Sequence, residues 1–179
     1  AYTGEISVQM LKSVHVDYVI LGHSERRKFF GETNKFISKK IGAVLKGGLK
    51  PIVCVGEALD ERNAGQTKEA LRKQIENCFN NLEGINGENL ILAYEPIWAI
   101  GTGISANGTQ VSEAHDCIRK IMHSLFGNNG QDVPILYGGS VNIENAMPLI
   151  NTDGVDGFLI GGASLNAESF CKIIELVTD

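Results

Sequence analysis

Five short apolar runs punctuate the chain: Tyr18-Val19-Ile20-Leu21, Pro51-Ile52-Val53-Cys54-Val55, Leu90-Ile91-Leu92-Ala93-Tyr94, Pro134-Ile135-Leu136-Tyr137 and Gly157-Phe158-Leu159-Ile160. Each is nearly continuous rather than alternating and ends in Gly or a polar residue. That pattern predicts parallel strands buried on both faces. Between the runs, apolar residues fall at helical spacing: Phe36, Ile37, Ile41, Val44 and Leu45; Leu71, Ile75, Cys78 and Phe79; Cys117, Ile118, Ile121, Met122 and Leu125; Phe170, Ile173, Ile174 and Val177. An opening helix is predicted over 6–14, with Ser7 or Thr3 as its cap. The order is one helix followed by five strand-helix units, which implies right-handed crossovers and a parallel α/β sheet. The pattern fits a closed barrel and an open doubly wound sheet equally well.

Length narrows the organisation. A chain of 179 residues without a Pro/Ser linker or low-complexity tract is read as a single domain over 1–179. A net charge of -5 argues against nucleic acid, which needs a basic face. It also means that an anionic ligand would need a local positive potential to hold it. The four cysteines, Cys54, Cys78, Cys117 and Cys171, lack the close spacing of a zinc knuckle or a redox motif, and four reduced thiols in a cytoplasmic protein are expected. No apolar run approaches a membrane span, and no signal peptide opens the chain.

In parallel α/β folds chemistry gathers where the strands end. The residues following the five runs are Gly22-His23-Ser24-Glu25-Arg26-Arg27, Gly56-Glu57, Glu95-Pro96, Gly138-Gly139-Ser140 and Gly161-Gly162-Ala163-Ser164. The two glycine pairs let backbone N–H groups approach an anion, and the second is expected to run straight into a helix N-terminus. A glycine pair after a strand is also an ordinary turn; two on adjacent strands favour phosphate. Glu95, made extended by the following proline, precedes Ile97-Trp98-Ala99-Ile100, a loop suited to closing over a site. Exclusion of water would make its carboxylate a stronger base. His23 could donate a proton to a carbonyl oxygen, or could be a satisfied turn histidine. His15, His115 and His123 receive no role.

Together these segments, with Ala1-Tyr2-Thr3-Gly4-Glu5-Ile6, the stretch 93–103 and the run 156–165, resemble the triosephosphate isomerase family from one end of the chain to the other. The resemblance implies a parallel (β/α)8 TIM barrel, of which this chain supplies about five strands and six helices. It implies interconversion of dihydroxyacetone phosphate and glyceraldehyde 3-phosphate through an enediolate. By the same resemblance Glu95 is the catalytic base, and neutral His23 the electrophile and proton shuttle. Gly101, Ser140, Gly161 and Gly162 hold the phosphate, and 96–103 is the lid. Ser24, Glu25 and Cys54 have supporting roles, as does Glu57, and Arg119 with Asp156 forms an ion pair. No cofactor or metal is implied, the imidazole and oriented dipoles serving as electrophile. Thr3 is implied to approach the neighbouring subunit of a homodimer.

Two departures accompany the likeness. Gly103-Ile104-Ser105 stands where the family usually has Gly-Lys at the far end of the lid. The chain is also short: a barrel of this kind takes roughly 250 residues. It begins within what would be the loop after the third strand, so this segment corresponds to the C-terminal part of the barrel. The Asn and Lys that the family carries at the end of its first strand have no counterpart here. The expectation is that this chain alone turns over little substrate. Two other readings stay open: another barrel enzyme that holds phosphate after its last strands, and a non-catalytic fragment or phosphate-binding scaffold of the same fold.

Overall fold

The computed structural model describes residues 2–100 and 105–178. Its strands are β1 Tyr18–Leu21, β2 Lys50–Val55, β3 Ile91–Tyr94, β4 Ile135–Tyr137 and β5 Gly157–Phe158. Its helices are α1 Val8–Ser13, α2 Ser24–Phe30, α3 Asn34–Lys46, α4 Leu59–Asn63, α5 Thr67–Phe79, α6 Gly108–Phe126, α7 Asn128–Gln131, α8 Ala146–Ile150 and α9 Ala167–Thr178. Short α2, α4 and α7 add to the strand-helix units; none is long enough to show a periodicity in sequence. The turn after Gly161 differs from expectation, because Gly162–Leu165 is a 3-10 turn and α9 starts only after it.

All strands pair in parallel and in chain order, β1 to β5. A doubly wound sheet reverses its order at a switch point. The described strands contain no reversal, and successive helices α3, α5 and α6 pack on one another along one side. The winding is that of a β/α barrel.

Local chemistry explains the boundaries of the long helices. Thr33 caps α3, its Oγ1 accepting from the Phe36 N–H, and Ile37, Ile41 and Val44 then point into the core. Asn107 and Gln110 form a reciprocal capping box at the start of α6. Ser7, rather than Thr3, caps α1 by accepting from the Met10 N–H at 3.2 Å.

Burial departs from the expected pattern on one face of the sheet. Register aligns Leu21, Val53, Leu92 and Ile135, and one level on Val55, Tyr94 and Tyr137; all of these are buried beneath the helices. Fully burying each such side chain contributes about 1.5–3 kcal/mol. On the opposite face Ile20, aligned with Ile52 and Ile91, is exposed, and those two are only half-buried. Farther along that same face Cys54 and Ala93, also in register, are fully buried, so the face is open around Ile20, Ile52 and Ile91 and closed towards the ends of β2 and β3. This face leads to the rim where the strand-end residues converge.

Candidate active site

Glu95 leaves the end of β3 into a tightly determined position. Its N–H donates to the Val55 carbonyl at 2.8 Å, and the Ile97 N–H donates to the Glu57 carbonyl at 3.1 Å. Gly56, lying between those two acceptors, presses its backbone onto Glu95: a Cβ there would stand 1.7 Å from the Glu95 carbonyl oxygen. Gly138, from the other side, would put a Cβ 3.0 Å from Glu95 Cγ. The side chain is 3% exposed at the residue level. Its Oε1 lies 3.0 Å from His23 Nε2, and its Oε2 accepts from the Ser24 N–H at 3.1 Å. Cys54 lies buried alongside. Burial first, and then the Glu95 charge, push its thiol well above the ordinary range, so it is a neutral neighbour.

His23 is itself the cap of α2. Its Nδ1 accepts from the Glu25 N–H at 3.3 Å. With that lone pair engaged, the neutral ring carries its proton on Nε2, the nitrogen that faces Glu95. The hydrogen bond to Glu95 raises the pKa of His23 above its ordinary value; burial opposes this, and the charges of Glu95 and Glu25 add to it. The Glu25 carboxylate is mostly exposed and 4.0 Å from Nδ1, while Ser24 acts here through its backbone N–H. Arg27 braces the turn. It donates to the carbonyls of Gly22 and Cys54 at 2.7 and 3.1 Å and to Asn34 Oδ1 at 2.6 Å.

Glu95 and His23 open onto a cleft of about 340 Å³, whose wall includes Ser140, Gly161 and Gly162. The two glycine pairs differ. The Gly138 N–H donates to the Tyr94 carbonyl at 2.8 Å as part of the sheet ladder, so it cannot serve an anion. An added Cβ at Gly161 or Gly162 would meet nothing within 4 Å. These two open a 3-10 turn, where N–H groups lack intrahelical partners. Ser140 Oγ donates to the Ala99 carbonyl at 2.8 Å and so ties the β4 loop to the 3-10 turn after β3. The described lining contains no Lys or Arg. Gly101 and Ile104 lie outside the described residues. Thr3 is exposed and away from the cleft. Among the described residues, no group of three or more His, Cys, Asp or Glu is placed to hold a metal ion.

Further residues support this rim. Glu57 is fully buried; it pairs with Arg62 at 2.8 Å and accepts from the Tyr94 hydroxyl at 3.1 Å and from Trp98 Nε1 at 3.0 Å. It thereby joins β2, β3 and the 3-10 turn that follows β3. Gln74 of α5 bonds both polar groups of Gly56. His115, fully buried on α6, sets its ring edge-on to Tyr94 at 5.7 Å and bonds the Gly154 carbonyl through Nδ1 at 2.8 Å. The ion pair of Arg119 and Asp156 forms at 2.7 Å, and Asp156 also accepts from the Ile135 N–H.

A carboxylate facing an imidazole at the strand-end rim of a β/α barrel, beside an open glycine turn, defines a class: barrel enzymes that move protons on an anionic substrate. Comparison with known proteins narrows this. The family model described as Triosephosphate isomerase matches residues 1–177. Triosephosphate isomerase of Fusobacterium nucleatum is 49% identical over 176 residues, covering 98% of this chain and 70% of that protein. The enzyme of Dictyoglomus thermophilum is 48% identical over 176 residues, covering 98% and 71% respectively. The crystal structure of triosephosphate isomerase from Bartonella henselae matches with a TM-score of 0.92 and 41% identity, covering 100% of this chain and 72% of that one. The chain belongs to the triosephosphate isomerase family, and its fold is the TIM barrel.

Proposed function

We propose that this chain carries the proton-transfer site for interconverting dihydroxyacetone phosphate and glyceraldehyde 3-phosphate. Glu95 removes a proton from C1 of the ketone and returns it to C2 of the enediolate. His23 donates from Nε2–H to the substrate carbonyl oxygen and moves protons between the enediolate oxygens. Gly161 and Gly162, with Ser140 and Gly101, receive the phosphate. The observation that carries this reading is the 3.0 Å contact of Glu95 with His23 Nε2, in a cleft whose far wall is the open glycine turn. Turning Glu95 onto a substrate carbon takes away the partner that raises His23. The amide on Nδ1 stays, and the ring then acts as a neutral donor.

Glu95→Gln in the intact enzyme tests the reading. Loss of the base is expected to lower kcat about 10²- to 10⁴-fold while affinity for a phosphorylated enediolate mimic changes little. A kcat within a few-fold of wild type would overturn the assignment. The 179-residue polypeptide by itself is expected to turn over slowly, because no cation lines the described cleft. Near-normal steady-state rates would contradict that.

A homodimer belongs to the same reading. Tyr2, Ile6, Met10, Val14, Phe29 and Phe30 are exposed apolar residues in the segments that hold Thr3 and follow His23. Light scattering on the intact enzyme tests it, a monomer being the contrary result. No nucleic-acid partner is proposed, given the net charge of -5. No described helix is long and apolar enough to cross a membrane. The cytoplasm is the proposed location, testable by fractionation.

A further inference from the structure

We infer that Gln74 is a positioning residue for Glu95, acting through the Gly56 backbone; this rests on the reading of Glu95 as the base. Gln74 sits on α5, outside the cleft lining, and touches no group in the proposed reaction. Its Oε1 accepts from the Gly56 N–H at 3.0 Å, and its Nε2 donates to the Gly56 carbonyl at 2.7 Å. One side-chain amide thus satisfies both polar groups of a buried residue.

The need for such a partner follows from the sheet. In a parallel strand the polar groups of successive residues face opposite neighbours. Val55 and Glu57 turn their carbonyls to the β3 side, where they accept from Glu95 and Ile97. Cys54 and Gly56 turn theirs to the β1 side. There β1 has already left the sheet, because Gly22, at φ +69°, swings the chain into the turn before α2. Arg27 takes the Cys54 carbonyl, and Gln74 takes both groups of Gly56, as a neighbouring strand would.

The geometry makes this more than satisfaction of polar groups. The Gly56 N–H and the Val55 carbonyl belong to one peptide plane. At one end that plane is held by Gln74 Oε1; at the other it accepts from the Glu95 N–H at 2.8 Å. Gly56 also abuts the Glu95 carbonyl so closely that not even a methyl fits. A tilt of the peptide plane therefore moves Glu95 and, through Glu57 and Ile97, the entrance of the lid. Gly56, Gln74 and Glu95 line one small gap of about 10 Å³ together with Cys54, Val55 and Ile97.

Proton transfer to carbon is steep in distance, so misplacing the base should cost turnover rather than binding. In the intact enzyme, Gln74→Met is expected to lower kcat roughly 10- to 100-fold with KM within about twofold. Gln74→Glu supplies the control. Its ionised carboxylate can accept from the Gly56 N–H but cannot donate to the carbonyl, whereas its protonated form can do both. The kcat of Gln74→Glu relative to wild type at the same pH is expected to rise on acidification. A Gln74→Met kcat within twofold of wild type overturns the inference, as does a loss matching only the unfolded fraction seen by near-ultraviolet circular dichroism. If Gln74→Met does not fold, a pH-independent ratio for Gln74→Glu overturns it. Loss of activity in Glu95→Gln alongside normal Gln74→Met sinks only this inference, while normal Glu95→Gln sinks the reading beneath it.

Discussion

The ends of β3 and β5 face one cleft but are built in opposite ways. At the end of β3 Glu95 is held from several sides: a Cβ on Gly56 would stand 1.7 Å from its carbonyl oxygen and one on Gly138 3.0 Å from its Cγ, and His23 and Ser24 take the two carboxylate oxygens. At the end of β5, Gly161 and Gly162 have open space where a side chain would go. The same residue type serves opposite purposes. Beside Glu95, glycine lets backbones close on one another and fixes a position. At the β5 turn, glycine leaves the space over the backbone open. A base must be placed to a fraction of an ångström, whereas a phosphate can be met by several donors at once.

The contrast is broken most severely at Gly56. Gly56→Ala forces a methyl into the Glu95 backbone, and because backbone cannot yield as a flexible side chain can, we expect about 3 kcal/mol or more of destabilisation. Denaturant titration checks it, and a loss under 1 kcal/mol would show that the two strand ends are not rigidly joined.

A loss of similar size is expected from acid, through His115 packed on Tyr94. Burial, ahead of the opposing Gly154 hydrogen bond and Asp156 charge and with Arg119 assisting, lowers its pKa from 6.5 to about 4. The unfolded chain therefore binds a proton below pH 6.5 that the folded chain refuses until about pH 4. This stabilisation is complete above pH 6.5 and falls away as the pH drops towards 4, by about 3 kcal/mol in all. Urea unfolding of wild type against His115→Phe across that window should show a steeper loss in wild type; parallel curves would remove His115 from the account.

The smallest and sharpest test pairs Gly138→Ala with Gly162→Ala. The first crowds Glu95 Cγ at 3.0 Å and should lower kcat about tenfold, with KM held. The second meets nothing and should change stability by no more than about 0.5 kcal/mol. Its effect should fall on affinity for inorganic phosphate, read by calorimetry. Equal kinetic effects from the two would erase the distinction between the ends.

How much of this was legible follows the same division. The place of Glu95 at the strand-end rim was readable because a proline and an apolar segment directly follow its strand in sequence. His23 was readable from its place after β1. The role of Gly138 was not, because only the register of β3 and β4 reveals that its N–H belongs to the ladder. Gln74 was hidden for a related reason: its partner lies 18 residues away on another element, and a polar residue on an amphipathic helix looks like surface. His115 fell within the buried face of α6, where periodicity predicts a core residue but not a titrating one. The expectation of strands buried on both faces holds at Cys54 and Ala93 and not at Ile20, because an apolar run does not show how far along a strand its neighbours cover it.

The central claim is that Glu95 and His23 act on the substrate while the β5 turn holds its phosphate. A crystal of the intact enzyme with a phosphorylated enediolate mimic tests it most directly. The account predicts that Glu95 leaves the 3.0 Å contact with His23 and its bond to the Ser24 N–H, and comes to lie against the mimic's reacting atoms. His23 Nε2 should then donate to the mimic's oxygen, with the phosphate against the N–H groups of Gly161 and Gly162. A mimic bound elsewhere in the cleft, with the contact between Glu95 and His23 unbroken, would contradict it.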